Sequence, residues 1–300
     1  MNIPKELLRK IYEIEIIAKH DVMELFPGVH ESVFLGGGFN LVRHKEYEPG
    51  DSVMDIDQHL YARCPDKVYV TLFTKLKHMN IWIFADVSSS GRFGFGDLTK
   101  RELLVKSAAF LGFSASVVLD NIGLIAFTNK VKKQLVPKSG KGWVYHMLGE
   151  IWRLSNDSGK TDIAASLKKA KNFLGESDMV VLISDFLDDN CFKRNSPFWH
   201  EIRTIAGRHD LIPVVLEEDD SFLMGAKGHI TLRDLETGRD VKFYSSPKSC
   251  KELKEELEKR HEILRSWFME SNARAIFIKR EAHLRKFHKY FLIRKRSKLR

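Results

Sequence analysis

The sequence predicts an α/β fold: a doubly wound, mostly parallel sheet with an N-terminal extension. Three observations carry that expectation. Short apolar runs alternate along the chain with longer segments of helical periodicity. Two of the runs, IWIFA at 81–85 and MVVLI at 179–183, are apolar throughout, as strands of a parallel sheet covered on both faces must be. Both runs lead into an aspartate, Asp86 and Asp185, at the point where an open α/β sheet forms its ligand crevice.

The elements follow in order from local pattern. Lys5–Phe26 spaces Leu7, Leu8, Ile11, Ile14, Ile17, Ala18 and Val22 as one face of a helix. Residues 27–65 hold three glycines at 36–38 and the turn-like EPGDS at 48–52. Val68–Phe73 alternates as a strand does. Asn80–Ala85 is an apolar strand, and Lys100–Leu119 is a long helix. Asn121–Phe127 and Val131–Val136 are strands joined by the short turn Thr128–Lys130, hence a hairpin. Val144–Leu154 and Asp162–Leu174 are helical, Asp178–Ser184 is an apolar strand, Phe198–Gly207 is helical, and Asp210–Leu216 is a further apolar strand. His229–Tyr244 reads as a hairpin turning at 236–238. Ser246 and Pro247 open a charged helix that runs to about Ser271, Arg274–Ile278 is a short strand, and a basic helix finishes the chain. This divides the chain into an N-terminal helix and segment (1–79), the α/β domain (80–278) and a basic C-terminal helix or tail (279–300).

Composition sets outer limits. The chain has 300 residues, 43% hydrophobic and 30% charged, enough to bury a full core. No apolar run approaches the ~20 residues of a membrane helix, and the N-terminus carries acids among its apolar positions and no cleavage site, so the expected location is the cytoplasm. Cys64, Cys191 and Cys250 are odd in number and far apart, which suits reduced thiols rather than a disulfide frame or zinc site. From Ala273 to Arg300 there are 11 Lys and Arg and one acid, Glu281, against +9 for the whole chain, so the body is close to neutral. The basic segment is either a solvated helix face with a frayed end or a contact for nucleic acid, an anionic membrane or an acidic partner.

If the strands are ordered 3-2-1-4-5-6 counting from Asn80, those bearing Asp86 and Asp185 are neighbours across the point where the winding reverses. Two carboxylates and several hydroxyls then converge with few competing cations, a cost that a divalent ion relieves. All-oxygen ligation suits Mg²⁺, with Mn²⁺ or Ca²⁺ as alternatives. In D-x-S-x-S the chain turns after the strand and alternate side chains face one point, so Asp86, Ser88 and Ser90 face the ion. Neutral hydroxyls complete its shell without adding charge and leave it free to accept a carboxylate from another molecule. A third loop, SGKTD at 158–162, offers Thr161. The competing role of these hydroxyls is capping, in which Ser88, Ser90 or Thr161 accepts backbone N–H groups.

Several chemistries are excluded by spacing. GKT ends a phosphate-binding loop, but the glycine required five positions before Gly159 is Leu154, and IWRLS reads as a helix end rather than a strand. Ser88 stands where phosphoaspartate hydrolases carry a second Asp. There is no G-x-S-x-G elbow and no HExxH. Glu46, Asp51, Asp55 and Asp57 are read as turn chemistry, with Pro49-Gly50-Asp51 capping a helix, ahead of an acid–base cluster. Trp143, Tyr145 and Trp152 are read as core.

The residues Asp86, Ser88, Ser90, Thr161 and Asp185 resemble the metal-ion-dependent adhesion site of the von Willebrand factor A fold, which is Rossmann-like, over about Asn80 to Ile278. The segment RHKEYEPGDSVMDIDQHLYAR (43–63) resembles the signature of a bacterial family often called domain of unknown function 58, departing at Gln58 where that family usually has Trp. The resemblance implies a non-enzymatic, Mg²⁺-dependent protein-binding module. Its implied partners are a MoxR-type AAA+ ATPase or other von Willebrand factor A proteins, with a role in chaperone-like assembly or maturation of clients. The alternatives from other classes are a metal-dependent hydrolase using the same ion as Lewis acid, and nucleic-acid or membrane-surface binding by the basic C-terminus.

Overall fold

The computed structural model describes residues 3–25, 39–64, 66–75, 79–88, 99–155, 161–176, 178–217, 228–233, 240–279 and 283–298. It divides into two units, residues 1–22 with 79–300 and residues 23–78. The glycines at 36–38 and the expected turn at 236–238 lie outside the described residues.

In the larger unit, helix α1 (Lys5–Leu25) precedes β3 (Asn80–Asp86), α3 (Lys100–Val117), β4 (Asn121–Phe127), β5 (Val131–Lys138), α4 (Lys141–Leu154), α5 (Ile163–Ala170), β6 (Met179–Ser184), α6 (Pro197–Ala206) and β7 (Asp210–Leu216). The antiparallel pair β8 (Gly228–Arg233) and β9 (Asp240–Ser245), then α7 (Pro247–Glu270), β10 (Ile276–Ile278) and α8 (His283–Lys298), complete it. Six strands form one sheet in the order β10-β7-β6-β3-β4-β5. This is the anticipated 3-2-1-4-5-6 order read from the other edge. β5 alone runs antiparallel, as the hairpin pattern required.

The period-two alternation of strand side chains explains why both faces need helices. On β3, Ile83 and Ala85 join one core layer with Val181 and Ile183 of β6, while Trp82 and Phe84 join the other with Val180 and Leu182. The first layer is closed by α1, α3, α4 and α8, the second by α5, α6 and α7. Each fully buried Leu, Ile or Phe contributes about 1.5–3 kcal/mol relative to exposure. The aromatic cluster Phe186, Phe198, Trp199 and Phe268, with ring centroids 4.9–6.3 Å apart, anchors the second layer.

Residues 1–79, grouped as one segment from the sequence, are shared between the two units. Ile3, Leu7, Ile11, Ile14 and Ala18 of α1 are buried in the same core layer as Ile83 and Val181, so this stripe belongs to the sheet unit. At the other end, α8 is docked rather than frayed. Phe287 is fully buried and stacks on Phe110 at 5.4 Å. Arg294 pairs with Asp210, Lys286 donates to the Phe277 carbonyl, and His288 Nδ1 lies 3.4 Å from Asp21. Part of its basic charge therefore holds the helix in place, while Arg285 and Lys289 stay exposed. No helix among the described residues is long and apolar enough to cross a membrane.

In the smaller unit, β1 (Phe39–Glu46) pairs antiparallel with β2 (Tyr69–Lys75), and α2 (Gln58–Arg63) lies between them in sequence. The expected helix cap at 49–51 is corrected. Asp57 caps α2, accepting the N–H groups of His59 and Leu60 at 2.9 and 3.0 Å. Asp51 instead closes the turn around Gly50 (φ 114°), accepting the Glu48 N–H at 2.9 Å and pairing with Lys45 at 3.2 Å. Glu46 pairs with Lys67 at 3.2 Å. These acids do turn and pairing work, as the sequence favoured; the side chain of Asp55 lies outside the described set.

Gly123 faces the irregular β5 register, where an added Cβ would meet the Leu135 carbonyl at 2.9 Å and the Pro137 nitrogen at 3.0 Å. Gly123→Ala should destabilise by about 1–3 kcal/mol, because backbone rather than a side-chain tip must move. Gly142→Ala, in the first turn of α4 with open space around it, should be neutral or stabilising by up to about 1 kcal/mol. Urea melts of the two variants check this; equal losses would contradict it.

Candidate metal centre

The carboxyl ends of β3 and β6 build the centre of a cleft. The two strands are hydrogen-bonded neighbours, with Ala85 beside Ile183, so Asp86 comes level with Ser184 and Asp185 follows directly. Ser184 donates its hydroxyl to Asp86 Oδ2 at 2.6 Å, and the Ser88 N–H reaches Asp86 Oδ1 at 3.1 Å. The Ser88 hydroxyl also bonds this carboxylate. Ser88 is buried, and Asp86 is 8% exposed.

The turn after β6 has an uncommon backbone. Phe186 has φ 53°, a left-handed conformation that a bulky residue adopts at a cost. It is held because the Phe186 ring is fully buried and its N–H donates to Ser184 Oγ at 3.0 Å. One hydroxyl thus ties the turn to Asp86.

Asp185 is engaged differently. Its Oδ1 accepts the Leu187 N–H at 3.4 Å, and its Oδ2 receives the ammonium of Lys100 at 2.9 Å, each side chain being 7% exposed. Lys100 is the first residue of α3, whose start is set by a capping box between Thr99 and Glu102. The expected carboxylate cluster with few competing cations is therefore corrected: one of its two carboxylates already carries a buried ion pair.

Asp86, Val87, Ser88, Lys100, Ser184 and Asp185 line one cleft, together with Leu104, Leu216, Ser155 and Arg101. Its free volume is about 10 Å³, about the least that admits one water molecule. Of the sequence-derived residues, Asp86, Ser88 and Asp185 meet there. Thr161 is half-buried just before α5 and is not among the lining residues. Its neighbour Asp162 caps α5 through the Ala165 N–H at 2.9 Å. Ser90 lies outside the described residues.

The oxygen set fits a hard cation, with two carboxylates and a hydroxyl directed into a space of ion size. The Lys100 ammonium does not fit beside such an ion and would have to leave Asp185. Sequence reasoning missed Lys100 and Ser184. A signal existed for each: Ser184 is the one hydroxyl in the MVVLIS run, and a lysine in the first turn of a helix opposes the macrodipole.

Burial raises the Asp86 carboxyl to about 7, reinforced by the nearby Asp185 charge and opposed by the bonds from Ser184 and Ser88. A raised carboxyl keeps its proton longer in the folded state. Its stabilising contribution is complete below the unfolded value near pH 4 and is lost as pH rises through about 7. In EDTA, urea melts should show this group costing up to about 4 kcal/mol across that window, and Asp86→Asn should flatten the slope. An unchanged slope in the variant would refute the assignment.

A family model described as protein of unknown function DUF58 matches residues 43–263. An uncharacterized protein of Mycobacterium tuberculosis strain H37Rv is 23% identical over 244 residues, covering 81% of this chain and 75% of its own length, and one of Mycobacterium bovis matches to the same extent. Among solved structures, the conserved hypothetical protein BatB from Bacteroides thetaiotaomicron aligns with TM-score 0.49 and 12% identity over 73% of this chain and 98% of its own. An aerotolerance-related membrane protein from Bacteroides fragilis aligns with TM-score 0.48 and 13% identity over 72% and 99%.

Proposed function

The chain belongs to the DUF58 family, whose function is unknown, and we propose that it is a metal-dependent protein-interaction module rather than an enzyme. The carrying observation is the meeting of Asp86, Ser88 and Asp185 at the carboxyl edge of the sheet, in a cleft of ion size. A von Willebrand factor A-like reading of the domain, with an adhesion-type site formed by Asp86, Ser88, Ser90, Thr161 and Asp185, belongs to this proposal. So does a cytoplasmic location.

Each residue has a task in this reading. Ser184 and the Ser88 N–H fix the orientation of the Asp86 carboxylate at the cleft. The Leu187 N–H orients Asp185. The hydroxyl of Ser88 adds a donor without adding charge. A bound Mg²⁺ supplies an electrophilic point for a carboxylate of the partner. The partner class that the family resemblance points to is a MoxR-type AAA+ ATPase, with assembly or maturation of client proteins as the outcome.

Mg²⁺ should raise the melting temperature of the intact chain, since an ion at a hundredfold excess over its Kd stabilises by about 2.7 kcal/mol. Asp86→Ala should abolish the rise. Pull-down of the cognate ATPase should require Mg²⁺; equal recovery in Mg²⁺ and in EDTA would sink the metal-dependent reading.

A further inference from the structure

We propose that Lys100 is the resident counter-ion of this cleft and a direct competitor of the divalent cation: its ammonium closes the site on Asp185, and an ion enters as the lysine swings out. The inference rests on the metal reading above and adds its regulation.

The placement of Lys100 goes against local preference. It is the first residue of α3, where aligned peptide dipoles disfavour a cation. It is also 7% exposed, and an ammonium taken out of water needs a partner of opposite charge. The 2.9 Å pair with Asp185 Oδ2, whose side chain is also 7% exposed, offsets both costs in part. The helix start does not depend on this lysine, because Thr99 and Glu102 cap one another's backbone N–H groups. The side chain can therefore leave without unwinding α3.

Charge balance makes the competition specific. The cleft holds two carboxylates, Asp86 and Asp185, and Lys100 neutralises one. A divalent ion held by Asp86 and Asp185 would balance the charge of both, and it would compete with the ammonium for Asp185. The other basic side chain lining the cleft, Arg101, is turned toward α4, stacked 3.3 Å over Trp152 and bonded to the Trp152 carbonyl. Lys100 has a flexible four-carbon stem, and the cleft it lines also includes the apolar side chains Leu104 and Leu216. The consequence is a tuned affinity. An ion that must first displace an internal cation binds more weakly by the fraction of time the site is open.

Calorimetric titration of the full chain with MnCl₂ tests this, comparing the natural protein with Lys100→Met. Lys100→Met should bind Mn²⁺ at least tenfold more tightly, and its metal-free melting temperature should fall while Mn²⁺ restores it. Equal or weaker binding by Lys100→Met, with the natural chain still binding, overturns the competition and leaves the metal reading standing. Binding by Lys100→Met alone supports the lysine as occupant of the ion's place and overturns metal dependence of the natural chain. Binding by neither overturns both. If Lys100→Met folds poorly, Lys100→Gln keeps a donor to Asp185 without the charge and should show the same tightening; unchanged affinity there counts equally against the proposal.

Discussion

Two carboxylates brought to the ends of neighbouring strands and shielded from water must be stabilised by hydrogen-bond donors, by a proton or by positive charge. That requirement organises the carboxyl edge of the sheet. Asp86 meets it with neutral donors, the hydroxyl of Ser184 and the backbone of Ser88, and with an upward shift of its own proton affinity. Asp185 meets it with the Lys100 ammonium. The two solutions differ because of position: Ser184 is level with Asp86 across the strand pair, whereas Asp185 has passed the last rung and faces the start of α3.

The scaffold keeps these distances short. β3 is the inner strand between β6 and β4, and both its faces are buried, so its end has little freedom to shift. α3 is buried on almost every side by the sheet, α4 and α8, and Gly112 lets it approach α4, since a Cβ there would lie 2.7 Å from Val144. The stacking of Phe287 on Phe110 ties the C-terminal helix to the same α3. The lysine at the head of α3 is thus carried by one of the best-packed elements of the molecule, which fixes its Cα relative to Asp185.

Departures from local preference gather at the cleft. Three non-glycine residues among those described have positive φ. Leu119 and Asn272 follow the C-caps of α3 and α7, where a left-handed residue commonly ends a helix. Phe186 follows a strand, and its conformation is held by a buried ring and a bond to Ser184. With a lysine at a helix N-terminus and two buried carboxylates, this is where the chain sets aside its local rules, a pattern expected of functional sites.

Much of the molecule was legible in the amino-acid order. Continuous apolar runs flanked by turn residues specified the central strands, and the β4–β5 turn specified the antiparallel edge, because period and breaker residues are local properties. The aspartates at the ends of β3 and β6 were legible as a pair for the same reason. Other features were not. β1 carries apolar residues only in its first half, with Arg, His, Lys and Glu in its second, too short a pattern to mark an eight-residue strand, and its extent is set by its pairing with β2. The docking of α1 and α8 into one core layer depends on which face of the sheet each helix reaches. Above all, sequence could place Lys100 on a helix but not on Asp185, since a contact across 85 residues exists only once the strand order and the direction of α3 are set. Local chemistry determined which carboxylates would meet; three-dimensional packing alone decided which cation would meet them.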